Sequence, residues 1–155
     1  MKKSYNLMLI ILCIFFILNL CNAQNKSNLK LANLKCEYQI NPKGVQKHQP
    51  FLSWEIKASA KRNISQSSYR IIVVESDNAP SKVSDIFWDS GVVSSNQSVN
   101  VIYNGKPLKS ANKYYWRVQV EDNLGTKSKF SRWASFQTGI LNEEDWISKW
   151  VHTPT

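Results

Sequence analysis

Cysteine, histidine and glycine are all scarce in this chain, and each shortage closes off a class of chemistry. The 155 residues include three cysteines, two histidines and five glycines. Cys13 and Cys21 fall in the first segment, which leaves Cys36 alone in the remainder. That remainder cannot build an internal disulfide framework. A zinc site is excluded too, because His48, His152 and Cys36 do not supply a closely spaced ligand set. The glycines form no phosphate-cradling loop. Acidic residues are outnumbered, 11 against 20 basic ones, yet no Lys/Arg run exceeds two residues. The formal charge of +9 is therefore spread over the surface, without the basic patch or stripe of a nucleic-acid footprint. No metal, no cofactor and no nucleic-acid partner is expected.

The first segment has a purpose of its own. Lys2 and Lys3 precede an uncharged apolar run from Leu7 to Leu18, and Cys21-Asn22-Ala23 offers small residues before Gln24. This pattern is that of a secretory signal peptide over residues 1–23, cleaved after Ala23, so a secreted or periplasmic location is expected. The rival is a membrane anchor, but a spanning helix needs about 20 apolar residues. A lipoprotein anchored through Cys21 is the third reading. Leu18-Asn19-Leu20 fits it poorly, because small residues are favoured just ahead of a lipid-bearing cysteine. After cleavage the charge falls by the two lysines lost, and no membrane association is expected.

The remainder is long enough for one domain with its own core. Helical periodicity is nearly absent, and short alternating runs separated by turn residues predict about seven strands. These are Leu29–Tyr38, Phe51–Ala58, Ser68–Ser76, an interrupted Ile86–Ser94, Ser98–Tyr103, Lys113–Glu121 and Trp133–Thr138. Asn41-Pro42-Lys43-Gly44 reads as a turn, and Asn104-Gly105 as a tight turn closing a strand. Ser68–Ser76 is apolar on both faces and suits a central strand. Lys113–Glu121 alternates cleanly, with Tyr114, Trp116, Val118 and Val120 on one face. The fold class is therefore all-β: a single immunoglobulin-like or fibronectin type III-like sandwich over residues 24–140. Residues 141–155 follow as a short helix, capped by Asn142, and a linker toward an absent downstream domain. Trp54 and Trp116 are core candidates, and Cys36 reads as a small buried hydrophobe.

Such a sandwich does not disclose a function by itself. Its candidate carboxylates are Glu37, Glu55, Glu75, Asp89, Glu121, Asp122 and the cluster Glu143, Glu144, Asp145. Glu55 and Glu121 fall on solvent faces, and the cluster is explained by a helix N-terminus. No catalytic residue is assigned. Exposed aromatic rings are the usual platform for sugars. The candidates are Trp88, Tyr103, Tyr115, Trp133, Trp146 and Trp150. Trp88 beside Asp89 is the best ligand-binding pair, whereas Trp146 and Trp150 suit a domain junction.

Several phrases occur in a fixed order: Cys36-Glu37-Tyr38, Asn41-Pro42-Lys43-Gly44, Pro50-Phe51-Leu52-Ser53-Trp54, Ser68-Tyr69-Arg70-Ile71-Ile72-Val73, Trp88-Asp89-Ser90-Gly91, Tyr114-Tyr115-Trp116-Arg117-Val118, and Asp145-Trp146 ahead of Lys149-Trp150. As a set they resemble the N-terminal β-sandwich module of bacterial α-L-rhamnosidases, glycoside hydrolase family seventy-eight. The resemblance implies a non-catalytic accessory module of a secreted enzyme that removes terminal α-L-rhamnose by inversion, with the acid and base on a later helical barrel. That barrel has no counterpart here, so none of the family's catalytic residues maps onto this sequence. The partners implied are the downstream domains of a rhamnosidase, in cis or in trans. A rhamnose-containing or acidic polysaccharide is the further candidate, through an alternative role as a free-standing carbohydrate-binding module. A fragment, a truncated gene and a free-standing module all fit.

Overall fold

The computed structural model describes residues 29–57, 63–82 and 85–146. The expected signal peptide, Ala58, Trp150 and His152 lie outside the described residues. Among the described residues eight strands form two antiparallel sheets: β1 (Lys30–Cys36), β2 (Phe51–Lys57), β3 (Gln66–Glu75), β4 (Ile86–Asp89), β5 (Val93–Ser94), β6 (Val101–Ile102), β7 (Lys113–Asp122) and β8 (Ala134–Gln137). One sheet has the order β1-β2-β6; the other has the order β4-β3-β7-β8, with β5 also pairing with β3. A single 3₁₀ turn at Glu143–Asp145 follows. Among the described residues no helix is long and apolar enough to cross a membrane.

The core follows from alternation. Along β7 every second residue from Tyr114 to Asp122 is buried, the period expected of a strand with one face on the core. Leu52 and Trp54 from β2 meet Ile71 and Val73 from β3, Trp116 and Val118 from β7, and Phe136 from β8 in one buried cluster. Trp54 and Trp116 are no more than 1% exposed. Complete burial of each large side chain contributes roughly 1.5–3 kcal/mol. Cys36 joins the cluster, and burial pushes its thiol up to about 12, which leaves it an unreactive apolar filler.

β3 sits centrally, with β4 and β5 on one side and β7 on the other. This explains its two apolar faces. Ile72 and Val74, opposite Arg117 and Tyr115 in the register, are buried on the sheet's other face.

Two turn and strand expectations need correction. Asn104-Gly105 joins no hairpin, and neither residue has positive φ. The tight hairpin-like turn is instead at Glu37-Tyr38, with φ of 47° and 65°, where Cys36 and Gln39 exchange backbone hydrogen bonds of 2.9 and 3.0 Å. The expected Ser98–Tyr103 strand shortens to Val101–Ile102. Trp54 N still donates to Ser98 O at 2.9 Å, but Asn100 turns to φ 56° and interrupts the ladder.

The Asn41–Gly44 phrase is a turn with a second task. Asn41 Oδ1 accepts from Ser135 N at 2.8 Å, Pro42 O accepts from Gln137 N at 2.9 Å, and Val45 pairs with Thr138. The segment thereby covers the open edge of β8, which would otherwise invite strand addition.

Candidate functional site

Two surfaces bring together the residues singled out from the sequence. The first lies at the C-terminal end of the described chain. Ala111 N donates to Gly139 O at 2.9 Å, and Leu141 N donates to Ser110 Oγ at 2.8 Å. Ser110 Oγ in turn donates to Asp145 Oδ2. Asn142 is the residue before the 3₁₀ turn, but its side chain does not cap the backbone as expected. Its amide donates instead to Asp145 Oδ2 at 2.9 Å. The hydroxyl of Ser110 first, and then the Asn142 amide, hold the Asp145 carboxyl below its ordinary value. The backbone is thus fastened to the sandwich while the ring at its end is not: Trp146 is 66% exposed. Beside it, Ile140, Leu141 and Gln46 line a shallow groove of about 490 Å³.

The second surface is the open sandwich edge between β4–β5 and β6. Here the expected pair Trp88 and Asp89 lines a groove of about 630 Å³. Asp89 is already engaged. Arg70 Nε donates to Oδ1 at 2.9 Å, Arg70 Nη2 to Oδ2 at 2.5 Å, and Gly91 N to Oδ1 at 2.9 Å. The hydrogen bonds from Arg70 pull the carboxyl below its ordinary value against the opposing effect of burial. Trp88 is half-buried and meets Tyr103 edge-on at 4.9 Å.

The remaining aromatic candidates separate by burial. Tyr103 is not a platform: it is 1% exposed, and its hydroxyl donates to Lys106 O at 2.7 Å. Its place in the alternation of Val101 and Tyr103 turns the ring into the core. Tyr115 is half-buried with Lys113 Nζ at 5.1 Å from its ring. Trp133 and Phe130 hold the Arg117 guanidinium at 4.6 and 4.4 Å, and burial lowers the Arg117 pKa. Sequence reading missed this stack, because it joins residues on β7 and in the loop before β8.

Glycoside hydrolysis needs one carboxyl with a raised pKa as acid and a second as base or nucleophile. Asp89 and Asp145 are shifted the opposite way. Glu37 pairs with Lys47 at 2.7 Å, Glu75 with Lys109 at 3.0 Å and Glu121 with Lys127 at 3.7 Å. Asp122 Oδ1 accepts from Leu124 N and Thr126 N at 2.9 and 2.7 Å. These carboxylates have structural partners. Among the described residues no group of three or more His, Cys, Asp or Glu is placed to hold a metal.

The two-sheet sandwich, with its ordered Trp and Tyr core, matches one family model. Residues 31–142 fit the Rha78A-like, N-terminal immunoglobulin domain. The chain belongs to this family. An α-L-rhamnosidase of Formosa agariphila is 36% identical over 155 residues, covering 99% of this chain and 16% of that protein. An α-L-rhamnosidase of Streptomyces avermitilis is 38% identical over 128 residues, or 83% of this chain and 12% of that protein. The crystal structure of Streptomyces avermitilis α-L-rhamnosidase complexed with L-rhamnose superposes with a TM-score of 0.70 at 32% identity, over 81% of this chain and 12% of that one. The α-L-rhamnosidase structure from Dictyoglumus thermophilum gives 0.69 at 36%, over 81% and 14%. The chain therefore spans about a sixth or less of the length of these relatives. What it matches in them is the N-terminal immunoglobulin domain, a small part of each multi-domain protein.

Proposed function

We propose that this Rha78A-like domain works as the accessory module of an exported α-L-rhamnosidase, docking on the enzyme's other domains through the face around Trp146. The observation that carries the reading is the contrast at residues 139–146. They are tied to the sandwich by Ala111 and Ser110, while the Trp146 ring is two-thirds exposed beside Ile140. An anchored backbone presenting an uncovered indole is how an interface anchor is built. The basic start and apolar run before Gln24 support export, to the periplasm or the exterior.

The test mixes the purified chain with the Formosa agariphila enzyme from which the matching segment has been deleted. A one-to-one complex by analytical ultracentrifugation, weakened by Trp146→Ser, is expected. Absence of a complex, or one indifferent to Trp146→Ser, sinks the docking reading.

A further inference from the structure

The groove at the open edge of the sandwich has a chemistry that the docking role does not use. Its walls are the half-buried rings of Trp88 and Tyr69, with Gln49, Gln97 and Asn104 around them. The lining contains a single charged side chain, Asp89, and Arg70 neutralises it with two hydrogen bonds of 2.9 and 2.5 Å. The Gln97 amide nitrogen is spent on Val99 O and Asn100 O, both at 3.0 Å, which leaves its carbonyl oxygen to accept. The side chains of Gln49 and Asn104 stand exposed at the rim. At about 630 Å³ the groove falls in the range of roughly 300–1,000 Å³ typical of small-ligand sites.

The Trp88 ring is held in place. Gly105 lies so close that a Cβ there would sit 2.6 Å from Trp88 Cγ and 2.5 Å from Tyr103 Cζ. Only glycine lets the backbone pass against these rings, and the Tyr103 edge braces Trp88 from the core side. A ring fixed before binding loses little entropy on contact with a ligand.

We propose that this groove binds a neutral saccharide, with Trp88 as the apolar platform and the Gln49 and Asn104 amides reading its hydroxyls. A hydroxyl both donates and accepts, and so does a carboxamide. The C–H face of a pyranose suits the electron-rich face of an indole. With Asp89 compensated by Arg70 the groove offers no free charge to attract an anionic sugar. This site is independent of the Trp146 face, so either can fail without the other.

The experiment titrates the purified, nitrogen-15-labelled chain with L-rhamnose, cellohexaose, xylohexaose and trigalacturonate in separate series. The expected result is a saturable shift of the Trp88 indole N–H with at least one neutral probe. Gln49→Ala combined with Asn104→Ala should weaken that binding about tenfold or more, since two hydrogen bonds are lost, with an unchanged thermal midpoint. Both side chains are exposed, so the variant is expected to fold. The proposal is overturned if no neutral probe gives a saturable shift, if trigalacturonate alone binds, or if the double variant binds as tightly as the parent.

Discussion

Trp54 Nε1 donates a hydrogen bond of 3.0 Å to Gln66 Oε1 between the two sheets. Trp54 belongs to the β1-β2-β6 sheet and Gln66 opens β3 of the other, so the bond joins the two layers inside the core. Gln66 is 5% exposed and fully occupied: its amide nitrogen donates to Ser95 O at 3.0 Å and Gln97 O at 2.8 Å. One side chain thus fixes the tryptophan and the loop that descends toward β6.

Replacing Gln66 leaves the Trp54 N–H and two loop carbonyls without their partner. Each unsatisfied buried group costs about 1–3 kcal/mol, with water able to reach the loop carbonyls, so Gln66→Leu should lose about 3 kcal/mol. Urea unfolding checks this through the midpoint at constant slope. A loss below about 1 kcal/mol would show that the bond holds little.

Tyr38 occupies φ 65° although 60% of it is exposed. A left-handed conformation costs a non-glycine residue about 1–2 kcal/mol, and glycine returns part of this through the entropy of the unfolded chain. Tyr38→Gly should therefore raise stability by about 0.5–1 kcal/mol, read from the same urea midpoints. A loss would mean that the Tyr38 ring makes a contact worth more than the strain.

The Arg70–Asp89 pair gives the fold an acid limb. The carboxyl of Asp89 is lowered in the folded chain below its ordinary 3.8. A depressed folded value contributes stability that is present above the ordinary value and is lost as pH falls through the folded one. Wild type should therefore exceed Asp89→Asn in stability near neutral pH, and the gap should close below the ordinary value of 3.8. Urea midpoints over a pH series read both limbs. Since both side chains are partly exposed, the gap near neutrality is modest. A gap that widens toward acid would contradict the pairing.

Much of this was legible in the residues. The alternation of Lys113–Glu121 marked β7 and its inward face, because period two is the signature of a strand with one face on the core. Trp54 and Trp116 were readable as core for the same reason. What escaped depended on register or on backbone conformation. Ser68-Tyr69-Arg70 and Trp88-Asp89-Ser90 were visible as phrases, yet only the pairing of Ile72 with Asp89 brings Arg70 onto the carboxylate. The Glu37-Tyr38 turn carries neither Asn nor Gly, while Asn104-Gly105 carries both and makes no hairpin. There the glycine answers a steric demand from Trp88 and Tyr103, which no dipeptide rule encodes. Tyr103 is no platform because it alternates with the buried Val101 and turns its ring into the core.

The most direct measurement exchanges this chain for the matching segment of the Formosa agariphila enzyme and follows thermal unfolding together with release of L-rhamnose. The account predicts that the exchanged enzyme is active and unfolds above the enzyme lacking the segment. It also predicts that Trp146→Ser removes about 2 kcal/mol of that gain, the value of burying one large side chain. An exchanged enzyme no more stable than the deleted one, or one unmoved by Trp146→Ser, would contradict it.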